Sequence, residues 1–167
     1  YSRNAMKLLP VSCLLLAVIV PCSLGAREIP VADAAQFAEA AKTVQPGDAL
    51  VLAPGEWKDA RLKLHATGTA KQPVVVRAEN PGATVLTGDS RISISGAHIT
   101  VEGLYFKNPT GEEAIELRTK SDTLANDCRV TQCAVTNELP ANKSGASARF
   151  VSLYGARNRI DQCLIQG

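Results

Sequence analysis

The stretches CRVTQCAVTN (residues 128–137) and NRIDQCLIQG (158–167) share one outline, and ITVEGLYFKN (99–108) carries it a third time with fewer identities. Aligned, they place Val101, Val130 and Ile160 in one column, Leu104, Cys133 and Cys163 in a second, and Phe106, Val135 and Ile165 in a third. The columns recur after 29 and then 30 residues. One apolar, strand-like segment per unit at such a period is the mark of a solenoid. No unit buries its own apolar face, and stacking the units makes the core.

The rest of the chain agrees. ALVLAPGEW (49–57) is a short apolar run broken at Pro54-Gly55, and RLKLHA (61–66) alternates, with Leu62 and Leu64 on one face and Lys63 and His65 on the other. QPVVVRAENPG, TVLTGD, RISISG, AIELR and RFVSLYG add further strands, and the polar stretches 119–127 and 138–146 read as loops. A sandwich would need hairpins with Asn-Gly or Asp-Gly turns, and none lies between these strands. A leucine-rich repeat fits less well, because the asparagine of VEGLYFKN comes one position early and each unit holds more than one strand. The expected fold is therefore all-β: a right-handed parallel β-helix with a short capping α-helix at its N-terminal end. That helix lies in VADAAQFAEAAKTVQPGD, with Asp33 as cap, Gln36 returning the bond, and Phe37, Ala41 and Val44 on one stripe. Asn108 and Asn137 end their units at one column, either as an amide ladder at a corner or as two unrelated turn residues.

Residues 6–26 read as a secretory signal peptide: a basic start at Lys7, an apolar run over 14–20 and small residues up to Ala26, after which cleavage is expected. The run is shorter than the roughly 20 residues of a membrane span. Residues 1–5 precede the natural start at Met6. The division is thus 1–26 leader and 27–167 β-helix, with a secreted or periplasmic product. Of 18 basic residues, Arg3 and Lys7 belong to the leader, which leaves 16 against 16 acidic ones. Such a balance argues against a nucleic-acid binder. From Arg118 onward seven basic residues face four acidic ones, a tilt that suits an anionic ligand or an ordinary solvated surface. Beyond the leader three cysteines remain. Cys133 and Cys163 share a column within disulfide reach and are expected as free, packed thiols.

Three segments, VQPGDALVLAPGEWKDARLKL (44–64), PVVVRAENPGATVLTGDSRISISGAHITVEGLYFKN (73–108) and FVSLYGARNRIDQCLIQG (150–167), resemble the N-terminal coils of the chondroitinase-B-like alginate lyases, secreted β-helical polysaccharide lyases. The order NPGATVLTGDS, ITVEGLYFKN, LYGARNRID is the specific part; PGD…LAPGEW is shared by many β-helices. The resemblance implies β-elimination on a uronate polymer, alginate or poly-mannuronate before dermatan-type chains. It also implies a Ca²⁺ that neutralises the uronate carboxylate, a Lys base and an assisting Arg. It places those residues in coils beyond Gly167, so no catalytic residue and no metal ligand is assigned here. The chain is then expected to be inactive alone. The alternative is a non-catalytic secreted module that binds polysaccharide or serves as a scaffold.

Nearest to that expected centre lie Arg149, Tyr154 and Arg157, assigned as candidate substrate-binding residues, with Arg159 beside them; surface arginines and a packed tyrosine are the ordinary alternative. Glu112, Glu113 and Glu116 form an acidic cluster expected to be solvated rather than to bind calcium. His65 and His98 lack partners at metal spacing. Trp57 is either a sugar platform or, as expected, packed beneath the helix.

Overall fold

The structure, a computed structural model, describes residues 26–138 and 149–167. The leader reading therefore lies almost wholly outside the described residues, as does most of the expected loop 138–146.

The chain winds into stacked coils, each passing through three parallel sheets. The first sheet is formed by Glu28–Val31, Ala49–Leu52, Val74–Ala78, Ile99–Glu102, Arg129–Thr131 and Arg159–Asp161, in that spatial order. The second stacks Gly55–Lys58, Thr84–Thr87, Tyr105–Lys107, Ala134–Thr136 and Leu164–Gln166. The third begins with Arg61–Thr67 against Arg91–Ala97 and continues through Glu113–Glu116 to Arg149–Ser152.

The repeat columns are real. Leu50, Val76, Val101, Val130 and Ile160 lie directly over one another, 26, 25, 29 and 30 residues apart. Trp57, Leu86, Phe106, Val135 and Ile165 form the second interior column. The early spacing is thus uneven, 26 and 25 residues in the first column against 29 and 20 in the second, and it settles to 29 and 30 in both over the later coils. Burying a Val, Leu or Phe side chain stabilises by about 1.5–3 kcal/mol each, so these columns are the main cohesive element. Trp57 belongs to its column and is not a sugar platform; it is buried and donates Nε1–H to Ala53 O at 3.2 Å. Cys128, Cys133 and Cys163 are free thiols. Burial pushes the Cys133 thiol up to about 12, which suits an apolar filler rather than a nucleophile.

Corners repeat as well. His98, Asp127 and Arg157 turn the third sheet into the first with left-handed φ of 53°, 54° and 56°. Gly103, Gln132 and Gln162 do the same between the first and second sheets. At one corner Asn126 and Asn158 bond across coils to backbone rather than to each other, their Oδ1 atoms accepting Ala156 N–H and Cys128 N–H. Asn108 takes part differently, its Oδ1 accepting Glu138 N–H at 2.8 Å.

Two features depart from expectation. Glu28–Val31 is an extra edge strand on the first sheet, and its Pro30 is tolerated because an edge position needs no N–H on the outer side. The N-terminal end is therefore covered by this strand together with the helix Ala34–Ala40, which seats Phe37 in the core. Asp33 Oδ1 accepts Gln36 N–H at 2.8 Å, while Gln36 Oε1 takes Ala32 N–H, one residue before the cap. The second departure is in 119–127, read as a loop. Arg118–Lys120 and Thr123–Asn126 form an antiparallel hairpin, after which Ala125 and Asn126 rejoin the third sheet beside Gly96 and Ala97. Leu117, fully buried, fills the interior where the chain leaves, and Ala125 N–H closes the gap on Leu117 O.

Candidate functional site

Alternation on the third sheet points Leu62 and Leu64 inward and Lys63 and His65 outward. Register then sets Ser93 beside Lys63, Ser95 beside His65, Glu116 beside Ser93 and Ser152 beside Glu116. The result is a polar outer face running along the solenoid axis. His65 Nδ1 lies 2.9 Å from Ser95 Oγ, which lies 2.7 Å from Thr119 Oγ1 of the hairpin.

The charged part of this face sits where the hairpin emerges. Glu116 accepts from Ser93 Oγ at 3.2 Å on one oxygen and from Arg118 Nε at 2.7 Å on the other. The Arg118 guanidinium carbon stands 3.8 Å from the centre of the Tyr154 ring. That contact and the bond to Glu116 both favour the cation, and the hydrogen bond to Glu116 is the main reason the Arg118 pKa rises further. Tyr154 is itself held from behind: Asn158 Nδ2 donates to Tyr154 O and to Ala125 O, both at 2.9 Å.

The other sequence candidates are distributed around this arrangement. Arg149 reaches Glu113 Oε1 at 3.0 Å, and Ser152 Oγ donates to the same oxygen. Of the acidic cluster, Glu113 is only 3% exposed and Glu116 is partly buried, so these two are not solvated as expected, whereas Glu112 is exposed. Arg157 is not on this face. It forks onto Asp127 at 2.6 and 2.7 Å on the adjoining corner and holds that carboxyl below its usual range. Arg159 lies on the first sheet, where it and Arg129 both contact Asp161. The Thr131 hydroxyl and the Arg129 guanidinium keep the Asp161 carboxyl low; Thr131 Oγ1 is buried and faces it without regular hydrogen-bond geometry. The structure thus gives the four candidates separate partners: Arg149 meets Glu113, Tyr154 meets Arg118, Arg157 meets Asp127 and Arg159 meets Asp161.

Among the described residues no three His, Cys, Asp or Glu side chains cluster as a metal site. Glu113 and Glu116 each carry an arginine instead, which leaves their oxygens poorly suited to a calcium ion. His98 occupies a corner. Shallow grooves lie elsewhere: one of about 610 Å³ on the second sheet around Glu56, Val85, Thr87 and Lys107, and one of about 520 Å³ on the first around Pro30, Val51 and Arg77. Neither gathers a comparable charged network; Arg77 is held by Glu28 at 2.8 Å, and Glu56 by Thr87.

Arg118 escaped the sequence reading as a site residue, and Glu116 was read only as a member of the acidic cluster. The available signal was the alternation in AIELR, which puts the two on one side of an extended segment.

Parallel coils stacked through three sheets define the class, a parallel β-solenoid. Residues 31–167 match the Chondroitinase B family, and the chain belongs to it. No curated protein matches the chain. Among solved structures it is similar to AlyGC, a PL6 family alginate lyase, at 32% identity and a TM-score of 0.72, over 80% of this chain and 19% of that one. It is also similar to a mannuronic acid specific polysaccharide family 6 lyase from human gut microbiota, at 28% identity and a TM-score of 0.72, over 83% of this chain and 34% of that one. The PL6 family polysaccharide lyase Pedsa3628 of Pseudopedobacter saltans, 24% identical with a TM-score of 0.70 over 86% of this chain and 32% of that one, supports the fold. The chain therefore spans between a fifth and about a third of these structures.

Proposed function

We propose that this chain forms the opening coils of an exported polysaccharide lyase acting by β-elimination on a uronate polymer of the alginate type, and that the outer face of the third sheet holds the polymer. The observation that carries the reading is the family membership over residues 31–167, joined to a third sheet whose alternation turns Lys63 and Arg91 outward and whose hairpin sets Arg118 against Tyr154. The likeness to lyases described as acting on alginate and mannuronic acid makes a uronate chain the favoured polymer. Removing the proton beside a uronate carboxylate requires that the carboxylate charge be neutralised, and cationic side chains along the polymer path contribute to that.

The residues described here bind and orient rather than abstract a proton. Arg118 and Arg149 are already paired, and the calcium that the family likeness implies finds no fitting carboxylates among them. The test is electrophoresis of the purified chain through gels containing alginate or neutral dextran, with ultraviolet detection of unsaturated product in parallel. Retardation by alginate alone, weakened by salt and without product, is expected. A chain that runs alike in both gels refutes polymer binding by this face. Release of unsaturated product would move the reaction centre into these coils.

A further inference from the structure

Resting on the uronate reading, we propose that Arg118 is a preorganised receptor for one polymer carboxylate, with Tyr154 and Glu116 as its positioning residues. An arginine side chain in water samples many rotamers, and ordering it costs rotamer entropy on binding. Here that freedom is already restricted. The guanidinium lies over the Tyr154 ring at 3.8 Å, and its Nε is fixed to Glu116 at 2.7 Å. Glu116 is in turn held by Ser93, and the Tyr154 backbone by Asn158.

A guanidinium has five N–H donors. Nε uses one on Glu116, and among the described residues nothing takes those of the two terminal nitrogens. A plane anchored at one edge and backed by an aromatic ring, with a free fork opposite, is the geometry that accepts a carboxylate through two parallel bonds. The fork is reachable, since the Arg118 side chain is 31% exposed while its anchor Glu116 is 13% exposed.

A purely structural arginine would spend its terminal donors on a neighbouring coil, as Arg157 does on Asp127. Arg118 is instead carried outward by the only segment among the described residues that leaves the parallel coil for an antiparallel hairpin. A lysine cannot replace it, because an ammonium neither stacks flat on Tyr154 nor offers a fork. Neutral sugars lack the partner, so the residue sets specificity for acidic polymers.

The experiment is calorimetric titration of the full chain with a mannuronate oligosaccharide and with its carboxyl-reduced, neutral counterpart. Wild type is expected to prefer the acidic ligand, and R118K to lose about 10- to 100-fold toward it while binding the neutral one unchanged, as for a lost charge-assisted pair. Y154A should weaken acidic binding in the same direction, and Y154F should not. If an R118K variant fails to fold, the Nε–H resonance of Arg118 in the wild type answers instead: it shifts on adding the acidic oligosaccharide and stays put with the neutral one. Wild-type affinity in R118K, with binding abolished by K63E/R91E, overturns the receptor and leaves the polymer face intact. No binding by wild type at all overturns both.

Discussion

Replacing Gly96 with alanine tests the coil stacking on which the polymer face depends. Gly96 has φ of +104°, and a Cβ there would lie 1.9 Å from Ala66 O on the preceding coil. It sits in register between Ala66 and Ala125, so neither neighbour can yield without disturbing a rung. Two costs follow. Holding a side chain at such a φ costs about 1–3 kcal/mol. Restoring even 3.0 Å demands a shift of more than 1 Å across strands about 4.8 Å apart, and losing two ladder hydrogen bonds adds about 2 kcal/mol. Gly55 supplies the control, since its φ is +125° and nothing lies within 4 Å of an added Cβ. G55A therefore bears strain alone and G96A bears strain plus the clash. Urea unfolding followed by circular dichroism and by the single, buried Trp57 reads the difference. With m near 2 kcal/mol/M, G96A should unfold about 1 M earlier than G55A. Equal midpoints would mean the coils are not packed at strand spacing at this position, and the reasoning fails.

Asp127, whose carboxyl Arg157 holds below its usual range, contributes stability that is complete above the unfolded value near 4 and is lost as pH falls through the lower folded value. D127N should therefore melt below wild type at pH 5–8, with the gap closing below pH 4. Thiol labelling at pH 8 followed by peptide mapping should modify the half-exposed Cys163 well before Cys133, whose thiol burial pushes up to about 12; equal rates would contradict the ladder. R149A strands the buried Glu113 and should cost about 1–3 kcal/mol, less than a fully buried pair because Arg149 is half in water, with E113Q/R149A recovering most of it in the same urea assay. Export predicts a mature protein whose N-terminal sequencing starts at Arg27.

The solenoid was legible because its columns are apolar and recur. Val101, Val130 and Ile160 needed nothing beyond hydrophobicity and period to be aligned, and the register repeats that alignment. The strand Glu28–Val31 was not legible: four residues containing a proline carry no periodic signal, and its place is set by the neighbour Ala49–Leu52. The hairpin at 118–126 was missed for a related reason. Its residues are polar and its turn, Ser121-Asp122, is not one of the marked hairpin dipeptides. The candidate arginines were chosen by nearness in sequence, whereas partners lie one coil away: Arg149 meets Glu113, and Arg157 meets Asp127. A contact across coils is invisible until the register is known.

Contacts across coils also govern which outward side chains keep free donors. A regular coil turns each outward side chain toward its equivalents on neighbouring coils, so opposite charges there neutralise each other, as at Asp127 with Arg157 and at Asp161 with Arg129. Such a surface is stable but self-satisfied. A free donor set needs a residue whose donors the repeat leaves unfilled, and at Arg118 the interruption of the coil delivers it. Leu117 keeps the interior filled while the chain departs, Ala125 restores the rung, and the excursion between them carries Arg118 over Tyr154. The apolar columns thus carry the stability, and the break in the third sheet, which they are strong enough to tolerate, carries the proposed carboxylate receptor.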